Sequence, residues 1–520
     1  MSVPGGDSHS PVAVVPGTAT AAAGDKIIII GGGIAGLACG CYLQMNGYRT
    51  EILEMNDAPG GLCVAWDRGP YVFDGCLRWL VGTDPASLFN QVWKELGAIN
   101  GDDIVHRDEF LRVEGREGQV LSVSADLDQL ARDFKRVAPE DAKLIDKLVR
   151  AARRCAPLDP PEKPMELMTV RDRVQMALQF LPMVWTLGTW MNRPVTSYVS
   201  GYRSPLLREV LMALAGHPRM SALVLVMVLG WRGRKNAGYV AGGSRAFSQG
   251  IAARYARLGG VIRFNAPVVS VTVEHDRATG VRCADGTMVP AATVISCADA
   301  HTTIFKMLEG RYVTRQIRHL YKNCDVFPGL LQASFGINQA FPDAPQTLSL
   351  PLSRPLKVDD LTSHDRLEVG VFGADSGFCP AGKTVMIVRL FTRFEYWANL
   401  RNRRPEDYTA AKEALIRDIV GILDQRFPGV AGQLEHSDLA TPATFARFTG
   451  NWQGSFQGWL PTPRVLRRRL PRSLPGLKNF YLAGHWIDPG GGLPPAALSG
   501  RYVAQIICAR DGKQFTTTAG

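Results

Sequence analysis

Lys26-Ile-Ile-Ile-Ile-Gly-Gly-Gly-Ile-Ala-Gly36 is the stretch of sequence that decides the fold of this chain. Its four consecutive isoleucines predict a strand that is buried on both faces of a parallel sheet. Gly31 permits a tight turn after the strand, Gly33 lets the backbone approach a phosphate, and Gly36 lets the next helix pack closely on the sheet. That helix is expected from about residue 34 to residue 46, and its N-terminus presents free N–H groups to an anion.

An acid completes this pattern. A second strand, expected at about residues 49–53, leads into Glu54, which stands 23 residues after Gly31. A carboxylate at the end of the second strand accepts hydrogen bonds from the ribose hydroxyls of a dinucleotide. A glycine pattern alone is weak evidence, but here a strand precedes it, a helix follows it and the acid has the expected spacing. We therefore predict a Rossmann-like dinucleotide-binding unit rather than an ordinary glycine-rich turn.

Two further glycine-rich segments favour FAD over NAD. Gly60 and Gly61 follow soon after the ribose acid, where a bare backbone can lie against a flavin pyrophosphate or ring. Far along the chain, residues 478–484 predict a strand that ends in glycine, and residues 489–495 form a second glycine-rich turn before a helix expected from about Ala496. A second turn and helix N-terminus suit the ribityl and phosphate end of the cofactor.

The order of these segments resembles the phytoene desaturase-type flavoproteins, which include carotenoid desaturases, carotenoid isomerases and retinol saturase-like enzymes and share a fold with the amine oxidases. The resemblance implies an α/β protein with a Rossmann-like FAD-binding domain and a discontinuous α+β substrate domain. Four matching blocks span nearly the whole chain: residues 31–61, 69–75, 239–296 and 481–500.

The resemblance also implies the domain boundaries. The FAD-binding domain is expected to combine residues 25–85, 235–305 and 475–512, and the substrate domain residues 86–234 and 306–474. Residues 1–24 are rich in Ala, Pro, Gly and Ser and have no apolar signal region, so we predict a disordered tail. The ten cysteines lack metal-ligand spacing, and no metal site is expected.

Cofactor contacts follow from the glycine pattern and, residue by residue, from the resemblance. The backbone near Val268 or Val269 is expected to meet the adenine, as in the family. The sequence departs from many relatives at His485, where an acid is common, so Asp488 is the candidate substitute. It departs again at Leu62, where Arg or Lys is often found close by. The predicted FAD-binding residues are Gly31, Gly33, Ile34, Ala35, Gly36, Glu54, Met55, Gly60, Gly61, Leu62, Val268, Val269, Gly484, Asp488, Gly492 and Leu493.

Catalytic candidates are few. Residues 441–459 resemble a family segment that passes near the flavin. Within it, Arg447 is placed to stabilise negative charge on a reduced flavin, and Trp452 to line the cavity or stabilise a cation by π contact. His485 is the one histidine inside a cofactor motif. Ordinary core or surface roles remain the alternative for each of these residues.

Residues 174–231 carry only five charged side chains and contain an apolar cluster at 178–191. Helices that cover an apolar substrate tunnel are one interpretation, and a surface that dips into lipid is the other. The net charge of +11 and the arginines at 464, 467, 468, 469 and 472 favour an anionic surface as partner. No nucleic-acid-binding motif accompanies this charge. We expect a cytoplasmic protein, with peripheral contact to the inner face of a membrane as the second interpretation.

These observations predict an FAD-dependent oxidoreductase that desaturates or saturates carbon–carbon bonds of an apolar isoprenoid, carotenoid or lipid-like substrate. FAD supplies the redox chemistry and the protein positions the substrate. A redox-neutral cis–trans isomerase is the alternative, and an amine oxidase is a third. The electron acceptor, the catalytic base and the oligomeric state are left open.

Overall fold

The computed structural model describes residues 26–488 and 490–518, and the tail predicted for residues 1–24 lies outside them. The strands are β1 Ile27–Ile30, β2 Thr50–Leu53, β3 Ala65–Arg68, β4 Tyr71–Asp74, β5 Leu80–Val81, β6 Ile104–Val105, β7 Glu109–Glu114, β8 Val120–Ser124, β9 Ala237–Val240, β10 Val261–Arg263, β11 Val268–Glu274, β12 Arg277–Cys283, β13 Met288–Pro290, β14 Thr293–Ser296, β15 Gly329–Ile337, β16 Thr347–Lys357, β17 Ser363–Phe372, β18 Thr384–Thr392, β19 Leu434–Ala440 and β20 Phe480–Leu482.

The α-helices come between and around these strands. They are α1 Ile34–Met45, α2 Leu88–Glu95, α3 Leu127–Val137, α4 Ala142–Cys155, α5 Val170–Phe180, α6 Val184–Met191, α7 Val195–Val199, α8 Pro205–Ala215, α9 Ala222–Gly233, α10 Gly243–Arg257, α11 Ala300–Thr302, α12 Arg315–Asn323, α13 Phe394–Arg403, α14 Pro405–Arg426, α15 Pro442–Thr449 and α16 Leu493–Arg510.

A five-stranded parallel sheet in the order β10-β2-β1-β14-β20 forms the predicted Rossmann-like core. β1 is its central strand and pairs with β2 on one side and with β14 on the other. All four residues of β1 are buried, as the isoleucine run predicted. The sheet draws its strands from three separate parts of the chain, so the α/β fold class with a discontinuous arrangement is confirmed.

Helices α1 and α16 pack closely against each other because the residue of α16 at their contact, Gly500, has no side chain. A Cβ on Gly500 would lie 2.6 Å from the carbonyl oxygen of Ala35 and 2.8 Å from the amide nitrogen of Cys39. α16 begins at Leu493, three residues before the expected start. Prolines 494 and 495 stand in its first turn, where a proline needs no hydrogen-bonded N–H.

A second sheet has seven strands in the order β19-β15-β18-β17-β16-β7-β8. All nine residues of β15 are buried, and α14 packs its apolar side against this sheet. The β3–β4 hairpin packs on β19 of this sheet, where the Trp66 indole donates to Asp438 at 3.0 Å and the Tyr71 hydroxyl to Glu435 at 2.6 Å. Alternating or apolar patterns at residues 327–340 and 383–392 predict two of the strands, β15 and β18, whereas no pattern singled out β7, β8, β16 and β17.

Helices α3 to α9 form a third body with its own apolar core. Leu130 and Phe134 of α3 pack in one cluster with Leu148 of α4 and with residues of α8 and α9. Among residues 26–488 and 490–518, we find no helix with the length and apolarity that a bilayer crossing needs. All ten cysteines lie in this part of the chain and are free.

Candidate active site

The first glycine turn lies at the carboxyl end of β1. Gly31 has φ of 97°, and its amide donates to the carbonyl of Leu53 at 2.9 Å. A Cβ on Gly36 would stand 2.0 Å from the carbonyl oxygen of Gly31, so only glycine fits at this position. Ile34 and Ala35, the first residues of α1, are buried directly behind the turn. The turn therefore presents bare backbone and a helix N-terminus, as an anion-binding cradle requires.

Glu54 is held rigidly beside this turn. Its side chain is 4% exposed, and its Oε2 accepts the Gly32 amide at 2.6 Å. Its Oε1 accepts the backbone and side-chain nitrogens of Asn56, each at 2.9 Å. An ionised carboxylate has about four lone-pair positions, so one remains for a ribose hydroxyl.

The Gly60–Gly61 turn packs directly on the first one. Its two φ values are 122° and 61°, and the Gly60 amide donates to the carbonyl of Gly32 at 2.9 Å. A Cβ on Gly61 would stand 3.1 Å from the Cα of Gly33, which is the close backbone approach expected from the sequence. Leu62, next in the chain, is half-buried.

The predicted adenine segment lies on the other side of Glu54. The Ala266 amide donates to the Glu54 carbonyl at 2.8 Å, which fixes the start of β11 next to the ribose acid. Val268 is 9% exposed, whereas Val269 and Met55 are each 40% exposed. Exposed apolar side chains at this place are available to cover a flat aromatic base.

The loop between β20 and α16 meets the start of α1 through Gly484, although more than four hundred residues separate the two glycine-rich segments. A Cβ on Gly484 would lie 3.8 Å from the Cβ of Ala35, and Gly484 has φ of 125°. Its amide donates to the Ser499 hydroxyl of α16 at 3.1 Å. Gly492, with φ of 82°, immediately precedes Leu493 at the start of α16. Opposite ends of the described chain thus contribute bare, amide-lined turns to one place.

Asp488, a predicted cofactor-binding residue, forms an ion pair within the protein. Its Oδ2 accepts Nη2 of Arg472 at 2.5 Å, and Arg472 also binds Glu166 at 3.0 Å. The Arg472 side chain is only 3% exposed, so Asp488 neutralises a buried charge. The predicted contact between Asp488 and the cofactor stays a prediction, and it would use the other carboxylate oxygen, Oδ1.

The three catalytic candidates lie in two environments. Arg447 is exposed, and its guanidinium stacks 4.4 Å over the ring of Phe448. Trp452 and His485 instead flank Trp486, with ring centroids 6.4 Å and 5.5 Å from that indole. The Nε2 of His485 is buried and has no partner among the described residues. Burial lowers the pKa of His485 to about 4, so the ring is neutral at pH 7.

Trp452 belongs to an aromatic cluster that the sequence did not reveal. Its indole stacks on His301 with centroids 4.6 Å apart and planes 5° from parallel, and Tyr321 meets it edge-on. The Nδ1 of His301, the hydroxyl of Tyr321 and Oδ2 of Asp299 are all buried without a hydrogen-bond partner among described residues. Buried orphaned polar atoms are rare in folded proteins, and here they collect beside the second glycine turn.

Sequence reasoning also missed a buried polar network under the first turns. Asp74 accepts the amide and hydroxyl of Ser244 at 2.6 and 2.7 Å. Gln332 donates to the Asp74 carbonyl at 2.9 Å, and Arg389 donates to Gln332 at 3.0 Å. Burial raises the pKa of Asp74, and the hydrogen bonds from Ser244 lower it in part. The Phe73-Asp74-Gly75 block was the available signal, but it did not name the partners.

The arrangement fits a flavin dinucleotide. A side chain at Gly36 or Gly60 would collide with backbone, and one at Gly61 would press against Gly33, so these positions are kept free of side chains. Glu54 at the carboxyl end of β2 would hold the ribose, and the buried Nε2 of His485 could form a hydrogen bond with a bound group. Among residues 26–488 and 490–518, no group of three or more His, Cys, Asp or Glu side chains is arranged to hold a metal ion.

Comparison with known proteins agrees with this site. A phytoene desaturase (neurosporene-forming) of Cereibacter sphaeroides is 25% identical over 95% of this chain and 96% of that protein. A chloroplastic prolycopene isomerase of Arabidopsis thaliana is 23% identical over 93% of this chain and 83% of that protein. The crystal structure of an oxidoreductase from Methanosarcina mazei superposes with a TM-score of 0.60 at 14% identity, over 92% of this chain and 100% of that one.

A family model described as flavin containing amine oxidoreductase matches residues 34–508. That range begins with α1 behind the first glycine turn and ends within α16 behind the second. The chain therefore belongs to the flavin-containing amine oxidoreductase family and is an FAD-dependent oxidoreductase.

Proposed function

We propose that this protein desaturates or saturates carbon–carbon bonds of an apolar isoprenoid or carotenoid-like substrate. The observation that carries the proposal is the match with phytoene desaturases, which covers 92–95% of this chain and 96% of each of those proteins. The solved structure of a cyclohexylamine oxidase from Brevibacterium oxydans matches at only 14% identity, which shows a shared fold and nothing about the substrate. The desaturase function is therefore favoured over amine oxidation.

The residues of this chain have distinct tasks in such a reaction. The two glycine turns and Glu54 hold the dinucleotide, and bound FAD supplies hydride transfer at a C–H bond. The aromatic cluster around Trp452 offers apolar, π-rich surface, which suits a polyene and any positive charge that develops on it. His485 is neutral because burial lowers its pKa to about 4, so its buried Nε2 suits a hydrogen bond to a bound group rather than the uptake of a proton.

Product analysis tests the proposal. The purified flavoprotein is incubated with phytoene and, separately, with a more desaturated carotenoid, and products are identified by mass spectrometry. We expect a mass change of two hydrogens per step. Release of ammonia and peroxide from an added amine, with no change in any polyene, would contradict the proposal.

A cis–trans isomerase is the second candidate, because prolycopene isomerases match this chain over nearly the same range. Isomerisation leaves the mass unchanged and alters the chromatographic position and the absorption fine structure of the polyene. The same incubation with poly-cis-lycopene therefore separates the two activities.

We also propose that the protein contacts a membrane surface through α5 and α6. An apolar ridge of large exposed side chains runs along α5 at helical spacing and continues onto α6. Trp185 is 86% exposed and Val170 is 80% exposed, which is unusual for such residues. The ridge consists of Val170, Val174, Leu178, Leu181, Val184 and Trp185.

Charge next to the ridge suits anionic lipid. Arg467 donates to the Asn192 side chain at the end of α6, and arginines 464, 468 and 469 are exposed on the same loop. Arg472, the fifth predicted basic residue, is instead buried in its ion pairs. A ridge of apolar side chains flanked by arginines is the arrangement by which proteins lie in a lipid interface.

Vesicle sedimentation tests this contact. Leu178→Ser removes one ridge side chain, and each large apolar side chain contributes about 1.5–3 kcal/mol on burial, so we expect about tenfold weaker binding or more. Leu361→Ser is the matched control, because Leu361 is 77% exposed but lies outside the ridge. Equal binding of wild type and Leu178→Ser to phosphatidylglycerol-containing vesicles would contradict the proposal.

A further inference from the structure

A small cavity lies where the end of α9 meets the strands β6, β7 and β9. Its volume is about 20 Å³, which holds one small group. Two residues that line it, Arg78 and Trp79, lie in the sequence shortly after Gly75 and the predicted flavin turns. The Gly75 amide itself donates to the Val64 carbonyl at 2.9 Å. We call it the anion pocket, and the residues used below are Arg78, Trp79, Glu109, Phe110, Arg232 and Gln346.

Arg232 is the unusual member of this pocket. Its guanidinium carbon lies 3.7 Å from the ring centroid of Phe110 and 5.2 Å from that of Trp79. Its Nε is buried without a hydrogen-bond partner, and within the described chain no carboxylate pairs with it. Burial, and then repulsion from Arg78, lowers the pKa of Arg232 to about 9, so it is charged at pH 7.

The other charges of the pocket are already neutralised. Arg78 pairs with Glu368, and Arg107 binds Asp375 at 2.6 Å. Glu109 binds Arg112 at 3.0 Å and also accepts the hydroxyl of Ser122. The pocket therefore retains one surplus positive charge, which belongs to Arg232.

Stacking on aromatic rings does not account for this arginine completely. A ring covers the face of the guanidinium, whereas its N–H donors lie in its plane, and the buried Nε–H among them has no acceptor in the described chain. A carboxylate matches those donors with two parallel hydrogen bonds. A neutral hydrocarbon offers no hydrogen-bond acceptor. A ligand that fills this pocket must therefore carry a polar end, which a plain polyene lacks.

We infer that the anion pocket binds the carboxylate head group of an amphipathic isoprenoid or polyene substrate. This inference rests on the function proposed above and narrows its substrate class. The small volume suits a carboxylate better than a phosphate, and the single surplus charge of Arg232 matches one negative charge rather than two. The Gln346 side chain, on the same wall, has an amide available for a further hydrogen bond.

The test compares an acid with its ester. The flavoprotein is titrated with all-trans-retinoic acid and with methyl retinoate, and binding is followed by quenching of tryptophan fluorescence. 3-Methylbut-2-enoic acid and its methyl ester, followed by thermal shift, test the pocket without the long chain. The variants are Arg232→Gln, which removes the charge, and Arg232→Lys, which keeps it without the planar fork. Arg318→Gln, on the exposed side of α12, is the control.

For wild type and Arg318→Gln we expect the acid to bind at least tenfold more tightly than the ester. Arg232→Gln should lose this preference through weaker acid binding with unchanged ester binding, and Arg232→Lys should keep part of it. Equal binding of acid and ester by wild type, a preference that survives in Arg232→Gln, or no response to either acid would overturn the inference. Turnover of a neutral carotenoid without acid preference would leave the proposed function standing, whereas acid preference without any two-hydrogen change would leave only the pocket standing.

Discussion

Replacement of Gly500 by alanine is expected to separate the two helices that carry the glycine turns. The new Cβ would lie 2.6 Å from the carbonyl oxygen of Ala35, whereas ordinary contacts begin at 3.4 Å, so α1 and α16 must part by about 0.8 Å. The two atoms nearest to the new Cβ, the carbonyl oxygen of Ala35 and the amide nitrogen of Cys39, belong to the backbone and cannot rotate away. Overpacking of this kind costs about 1–3 kcal/mol.

Gly421→Ala provides the matched comparison. Gly421 lies inside α14, and a Cβ there meets nothing within 4 Å. Both substitutions gain about 1 kcal/mol of helix propensity, so the difference between the two variants isolates the packing cost. Thermal unfolding at one scan rate and the ratio of flavin to protein absorbance are the assays. We expect Gly421→Ala to match or exceed wild type, and Gly500→Ala to unfold about 1–3 °C below Gly421→Ala with less bound flavin, because the unfolding entropy of a chain of this size is about 1 kcal/mol/K. A Gly500→Ala protein as stable and as yellow as Gly421→Ala would refute the packing argument.

Three other substitutions test single contacts of the described chain. Glu54→Gln removes the ribose-facing charge and should weaken FAD binding by about 10- to 100-fold in titrations of the apoprotein, since hydrogen bonds to charged groups contribute about 1.5–3 kcal/mol; unchanged affinity would argue against the ribose contact. Burial raises the pKa of Asp359, but hydrogen bonds from the Thr392 hydroxyl and nearby amides outweigh it and hold the pKa at about 2, so this carboxylate stabilises the fold above pH 4 and the gain disappears toward pH 2. Asp359→Asn should therefore flatten the acid limb of the stability curve, and an identical limb would count against it. His485 has a pKa of about 4 when folded and an ordinary value of 6.5, so the unfolded chain takes up a proton first and stability falls as pH drops from 6.5 to 4. Burial lowers the pKa of His217 to about 4 as well, so His485→Phe should make the decline shallower without removing it, and an unchanged decline in urea unfolding across this range would contradict the prediction.

The sequence predicted the parts of this fold that depend on local chemistry. Four isoleucines and three glycines specify β1, its turn and α1, because burial on both faces and bare backbone leave few alternatives. The amphipathic pattern of residues 408–427, followed by Pro428 and Gly429, likewise predicts a long helix, and α14 lies at Pro405–Arg426. The spacing of the glycines in the sequence was enough to predict which of them form the turns, but it did not predict the distances between the turns.

What the sequence did not reveal depends on contacts between distant segments. Asp74 and Gln332 are 258 residues apart, and their hydrogen bond follows from how the hairpin meets the second sheet. The stacking of Trp452 on His301 likewise joins two loops that no local pattern connects. Arg232, at the end of the apolar helix α9, was not singled out from the sequence, because the residues next to it in the chain do not show that it lacks a carboxylate partner.

The parallel sheet also has a consequence for biosynthesis. β20 completes one edge of a sheet whose central strand is made more than four hundred residues earlier, and α16 then covers α1. Once residue 296 has been translated, β1 can pair with both β2 and β14, but β14 keeps one side unpaired and the first glycine turn lacks the residues that oppose it. Stable cofactor uptake is therefore expected only after translation of residues 480–510, and the open edge at β14 is exposed to aggregation until then.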